Sequence, residues 1–333
     1  MFRKILRQNE AYVFLLILAL SIVIGMRNPS FFSFENITGF LKSYSMIGIM
    51  SVGTLFVLIL GGTDVSFTAI AQVVEYAVVV LIMKFGGNIF VAFFEAAILG
   101  IVLGLINGLV IHKFRVPIII VTIATFNIYF GMLYVITKGK LINNIPQMFK
   151  DFGNILLFPQ KSAIGGTYGL SLMPLIWLAA LILGWIILRK TMIGRGIFAV
   201  GGNEIAAERI GINTFATKLF VFGFVGFLAG IAGVVHVAIV QSVVPNIIVG
   251  KELEVIAAVV IGGASIFGGR GTIFGTFLGV LLFAMLNNGL TLLRISSYWY
   301  SVTIGAIILI AITVSAYQRL QRAKTNVKVQ IQE

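Results

Sequence analysis

Four ionisable side chains fall inside otherwise apolar stretches of this 333-residue sequence: Asp64, Glu75, Glu95 and His236. A charge at membrane depth is costly, so each is a functional candidate by default. Asp64 and Glu75 are eleven residues apart, which puts them on one face of a continuous helix. Asp64 also follows Gly61-Gly62, where a helix break would leave backbone groups for its carboxylate to cap. Glu75 and Glu95 could line a water-filled cavity, pair with a cation, or sit at an interface with a second subunit. His236 follows Gly230, Ala232 and Gly233, small residues that favour close helix packing, so a packed, hydrogen-bonded histidine is expected there.

Other chemistries find little support. There is no cysteine, hence no disulfide, thiolate metal site or cysteine nucleophile. His112 and His236 stand far apart without a second ligand cluster. No metal-ligand pair at helical spacing and no serine–histidine arrangement points to an intramembrane enzyme. A phosphate-cradling glycine–lysine–serine/threonine loop is missing, and Gly268-Gly269-Arg270-Gly271 reads as a tight turn. No catalytic residue, metal or cofactor is therefore expected in this chain.

The elements that must position the charged residues are membrane spans. The chain is 59% hydrophobic and 11% charged, with a mean hydropathy of +1.08. Soluble domains are about 45–50% apolar and about 25% charged, so a soluble fold could not bury this much apolar surface. Ten apolar segments predict spans at about 11–26, 44–60, 65–83, 88–111, 116–137, 172–188, 217–241, 254–267, 272–292 and 296–315. The eighth is short and glycine-flanked. The first follows Arg3, Lys4 and Arg7 without a small-residue cleavage site, so it is expected to be retained. The predicted fold is an all-α integral membrane protein of about ten helices, some interrupted by glycine.

The net charge of +13 has a topological explanation, and nucleic acid is not an expected partner. With the N-terminus inside, 15 of the 24 Lys and Arg residues fall on the inner side. This excess obeys the positive-inside rule and makes both termini cytoplasmic. Two connections are long, about 138–171 outside and about 189–216 inside, and neither could form a soluble domain. Residues 1–333 are thus one polytopic unit. In the outer connection, the amphipathic run Ile145 to Phe149 could lie along the membrane surface.

The inner loop predicts a short helix. Asn203 is a good N-cap, Glu204 complements the positive end of the helix dipole, Arg209 falls in the last turn, and Gly211 suits the left-handed position after it. Ala206 and Ala207 leave a small-residue face suited to docking in a groove. So short a helix is marginal alone and needs a partner or the rest of the loop to hold it.

Gly194-Arg195, then Ala199-Val200-Gly201-Gly202-Asn203, then Ala206-Ala207 and Gly211-Ile212 resemble the cytoplasmic coupling loop of ABC-importer permeases of the ribose and simple-sugar branch. Gly61 to Ser66 resembles the family's early glycine–aspartate–serine motif. Leu253 to Ser265, with Gly268 to Gly271, resembles its late glycine-rich signature. The resemblance implies a bacterial inner-membrane subunit that forms half of a translocation pore. Its other half would be an identical chain or a paralogue. The coupling helix would rest on a separate ATPase subunit, which binds ATP and Mg, and an extracytoplasmic sugar-binding protein would deliver substrate to the outer mouth. Membrane lipid surrounds the whole.

A sugar path needs hydrogen-bonding groups. Gln72, Asn107, Thr125, Asn127, Gln241, Asn287 and Asn288 fall in or near spans, and amides both donate and accept, which suits vicinal hydroxyls. A faint, inverted internal repeat pairs Leu60-Gly61-Gly62-Thr63 with Ile261-Gly262-Gly263-Ala264, and Ile106-Asn107-Gly108-Leu109 with Asn287-Asn288-Gly289-Leu290. The competing expectation is a secondary transporter in which Asp64, Glu75 or Glu95 couples substrate to protons or sodium. Within the ABC class, a nucleoside, a branched-chain amino acid or a furanose-like signalling molecule would be the alternative cargo.

Overall fold

The computed structural model describes residues 9–161, 165–296, 298–309 and 313. Helices α1 (Asn9–Arg27), α2 (Phe34–Leu60), α3 (Phe67–Phe85), α4 (Ile89–Phe114) and α5 (Ile118–Thr137) follow one another through short turns. A short helix, α6 (Gln147–Gly153), and an antiparallel hairpin of β1 (Leu156–Lys161) and β2 (Thr167–Ser171) precede α7 (Leu172–Lys190). Then come α8 (Met192–Gly202), α9 (Glu204–Arg209), α10 (Thr214–Val240), α11 (Glu252–Ile261), α12 (Ile273–Leu292) and α13 (Tyr298–Leu309). Eight of these helices, α1–α5, α7, α10 and α12, are long and apolar enough to cross a membrane. The end of the bundle that carries α8 and α9 is called the near end below, and the end that carries α6 and the hairpin the far end.

Two expected spans differ from what forms. The segment predicted at 254–267 is α11, ten residues long, followed by an irregular turn region through Thr272. At 1.5 Å per residue it covers about half of a bilayer core, because the glycines at 262 and 263 end it. The span predicted at 44–60 starts at Phe34, where Ser33 Oγ accepts from the Asn36 amide at 3.2 Å and caps the helix. Of the last predicted span only part is described. Residues 1–8 and 314–333, whose basic side chains entered the charge count, lie outside the described residues.

α2 and α10 form the centre. Each has 27 residues, and they pack on one another. α10 is held against α4 by small residues four apart: Gly100 and Gly104 approach the backbone of Gly226 and Phe222, and Ala96 that of Gly230. A Cβ on either α4 glycine would meet a carbonyl group rather than a movable side chain. This is the small-residue packing that lets helix backbones touch where lipid leaves no hydrophobic drive for association.

The connection over residues 138–171 packs onto the bundle. Ile145 and Phe149 are buried, and the Lys42 ammonium donates to the Gly153 carbonyl at 2.8 Å, so α6 docks onto the bundle. The run's apolar side chains find protein rather than lipid. The hairpin adds the one sheet among the described residues.

Candidate functional site

At the near end, Thr191 starts α8 by accepting from the Gly194 amide at 3.1 Å. The chain then turns at Gly202 into α9, where Asn203 Oδ1 accepts from the Ala206 amide at 3.0 Å. Arg209 lies in the last turn, and Gly211 follows with φ +86°. The local capping expected from the sequence is therefore what forms.

Side chains divide between holding the loop and facing outward. Glu204 pairs with Lys218 of α10 at 2.5 Å, and Thr214 donates to Glu208 at 2.8 Å. The expectation of a two-alanine docking face needs correction. Ala207 is buried against the rest of the loop, its carbonyl accepting from the Ile212 amide, and only Ala206 is exposed. Two successive positions of a helix point about 100° apart, so they do not share a face. The outward surface instead carries Ile205 and Ile210, 65% and 76% exposed, which sequence reading passed over. Their signal was apolar residues in a capped, charged loop. Gly194 is buried with its Cα facing the Ile187 and Leu188 carbonyls, whereas Arg195 and Gly202 are exposed.

Three motifs distant in sequence meet here as backbone. Gly61, ending α2 in the left-handed region at φ +98°, lies beside Gly201 and Gly268. The Gly269 amide donates to the Ile59 carbonyl at 2.8 Å. A Cβ on Gly268 would lie 2.7 Å from Gly61 Cα, and one on Gly201 would collide with the Ile59 carbonyl. Gly268 and Gly269 adopt φ +88° and +72°, the tight turn expected. Next to this junction, a cavity of about 570 Å³ opens between α9 and the α4–α5 turn, lined by Gly61, His112, Arg115, Asn203, Glu204 and Lys218 among others.

The pathway candidates separate into clusters. Asp64 and Glu75 do not share a helix face, because α3 begins only at Phe67. Asp64 Oδ1 accepts from the Ser66 amide at 2.6 Å and the Ser66 hydroxyl at 2.7 Å, capping the break, and Asn107 Nδ2 donates to Ser66 Oγ at 2.7 Å. Burial pushes the Asp64 carboxyl up to about 6, against the pull of its Ser66 hydrogen bonds. Glu75 joins a second cluster: His236 Nδ1 lies 2.9 Å from Glu75 Oε1, Gln72 donates to Glu75 at 3.2 Å, and the Ile248 amide donates to Gln72 at 2.9 Å. This interior network ties α3 and α10 to the connection between α10 and α11.

Thr68 donates to Glu252, so the first turns of α3 and α11 meet. Both helices follow a 27-residue helix that ends in a left-handed residue, Gly61 or Gln241. This places the internal parallel at Gly61 and Gln241, rather than at Gly262-Gly263 as the glycine pairs suggest. Glu254, buried on α11, accepts from Tyr300, whose hydroxyl lies 2.9 Å from that of Tyr44. Sequence reading did not bring these three residues together, since they lie as much as 256 positions apart.

The remaining candidates stand apart. Asn288 and Asn36 exchange amide hydrogen bonds at 2.8 and 2.9 Å, joining α12 to α2. Asn287 is half-buried, with its side chain toward Tyr44 of the Glu254 cluster. Thr125 bonds within α5, and Asn127 is exposed, donating only to Ile123 of its own helix at 2.8 Å. Glu95 Oε2 on α4 is buried without a hydrogen-bond partner among the described residues. Gln241 donates to Asn154 at 3.3 Å.

Residues 36–312 match the protein family described as branched-chain amino acid transport system / permease component. The chain is 36% identical over 310 residues to the ribose import permease protein RbsC of Haemophilus influenzae, covering 92% of this chain and 93% of that protein. It is 36% identical to RbsC of Bacillus subtilis, over 90% of each chain. The autoinducer 2 import system permease protein LsrC of Yersinia pestis is 29% identical, over 93% of this chain and 85% of its own length. No solved structure matches at a significant level.

Proposed function

The chain belongs to the branched-chain amino acid transport system / permease component family, and from that premise we propose that it is the membrane-spanning half of an ATP-driven importer for a ribose-like sugar. It is a multi-pass permease of the ABC-importer class and performs no catalysis itself. ATP is bound by a partner ATPase. Residues 1–333 act as one membrane unit in the bacterial inner membrane, with the near end and both termini in the cytoplasm. A second permease half completes the pore, and a sugar-binding protein docks at the far end.

The observation that carries this reading is α9. It is six residues long, anchored to its own chain through Asn203, Glu204 and Ala207, and it turns Ile205, Ala206 and Ile210 outward. A short helix fixed from behind and apolar in front is built to be pushed by a protein partner. Motion at α9 reaches α2 through the Gly61–Gly201–Gly268 contact. Sugar passes beside the meeting first turns of α3 and α11, where Gln72, Thr68 and Glu252 lie, with Asn127 and Glu95 toward the second half of the pore.

The likeness to the autoinducer 2 permease supports a second cargo, that signalling molecule. Two measurements test the reading. A tagged chain purified from gently solubilised membranes should bring down an ATPase subunit, and changing Ile205 and Ile210 both to Asp should lose it. Retention by that variant removes the coupling assignment. Uptake of labelled ribose, with unlabelled autoinducer 2 as competitor, distinguishes the two cargoes.

A further inference from the structure

The cavity at the near end has two walls, and only one of them is α9. The other is the α4–α5 turn, residues His112 to Ile118. Phe114, the last residue of α4 and the neighbour of Arg115 in the chain, is 64% exposed, and Lys113 lies over its ring at 5.7 Å. Arg115 adopts the left-handed conformation at φ +52°, an uncommon state for a residue with a side chain, and its side chain lines the cavity.

The charges lining the cavity are unequally satisfied. Lys218 is paired with Glu204, and Glu208 accepts from Thr214. The His112 ring packs against Phe215 at 4.8 Å between centroids. Arg115 has no acidic partner among the described residues. An arginine at a concave surface, with exposed Ile205 in the same lining and exposed Phe114 next to it in the chain, fits a carboxylate inserted from a partner surface that also supplies apolar contact.

We infer that the α4–α5 turn is a second docking element for the ATPase, continuous with α9, and that an acidic side chain of the ATPase enters the cavity to meet Arg115. This rests on the reading of α9 as the ATPase dock. Its consequence is a second handle on the bundle. Because α4 is locked to α10 by backbone contact at Gly100 and Gly104, force on the turn moves both helices together.

A photo-crosslinking residue, benzoyl-phenylalanine, replaces in turn Ile205, Phe114 and, as a far-end control, Phe85 in the full chain expressed with its ATPase in native membranes. Adducts from 205 and 114 to the same ATP-binding subunit, identified by mass spectrometry, with none from 85, are expected. An adduct from 205 alone, or a position 114 that labels only lipid, overturns the second dock and leaves α9 intact. Adducts from neither position overturn both readings. Independently, Arg115→Glu should lower uptake by about tenfold at equal membrane abundance, while Arg115→Lys retains most of it. Full uptake by the glutamate variant overturns the carboxylate contact.

Discussion

The near-end glycine junction and the interior network both join three parts of the chain, but with opposite materials. At the junction, Gly61, Gly201 and Gly268 bring backbone against backbone, and no side chain intervenes. In the network, Gln72, Glu75, His236 and the Ile248 amide join through side-chain hydrogen bonds. Backbone packing has no rotamers to adjust, so it transmits displacement as a rigid contact and tolerates no added atom. Hydrogen-bonded side chains can exchange partners, so the network suits a place where helices must shift relative to one another. The region next to the proposed ATPase dock is the rigid one.

The largest effect should come from Gly201→Val. The new side chain meets the Ile59 carbonyl with nowhere to move, so destabilisation of about 3 kcal/mol or more is expected, with loss of uptake. Thermal unfolding in detergent and transport assays check it. Uptake near the native level would mean the junction is not rigid.

In the network, His236→Leu leaves the Glu75 carboxyl buried with only Gln72, costing roughly 3 kcal/mol. Adding Glu75→Met should restore more than half, because an apolar pair of similar volume can replace a buried polar one. No recovery in the double variant would give the pair a role beyond packing.

A smaller effect belongs to Asp64. Its folded-state carboxyl lies near 6, above the ordinary 3.8, so the folded chain binds the extra proton and stability rises as pH falls through 6 toward 4. Between pH 7 and 5 the gain should be on the order of 1 kcal/mol, and Asp64→Asn should abolish it. An unchanged pH profile in the asparagine variant would assign the dependence to another group.

The smallest change expected is Asn203→Ala, which removes the α9 cap at a cost of about 1 kcal/mol. Hydrogen exchange at the Ala206 amide should speed while the junction amide of Gly269 stays protected. Equal acceleration at both would show that cap and junction unfold together.

Composition and local residue order were enough for the membrane class, the eight long helices, the caps of α9 and the turn at Gly268-Gly269. All of these depend on composition or on residues within a few positions of each other, where helix and turn chemistry acts. The rest came from packing. α1 and α2 are similarly apolar in sequence, yet the most apolar window of one is 17% buried and that of the other 94%. Hydropathy records only preference for leaving water and cannot separate lipid from protein as the destination. Likewise, Glu75 meets His236 161 positions away, and Ala207 turns inward while Ala206 turns out. Which face of a helix is covered, and which distant group completes a buried hydrogen bond, follows from how the helices pack.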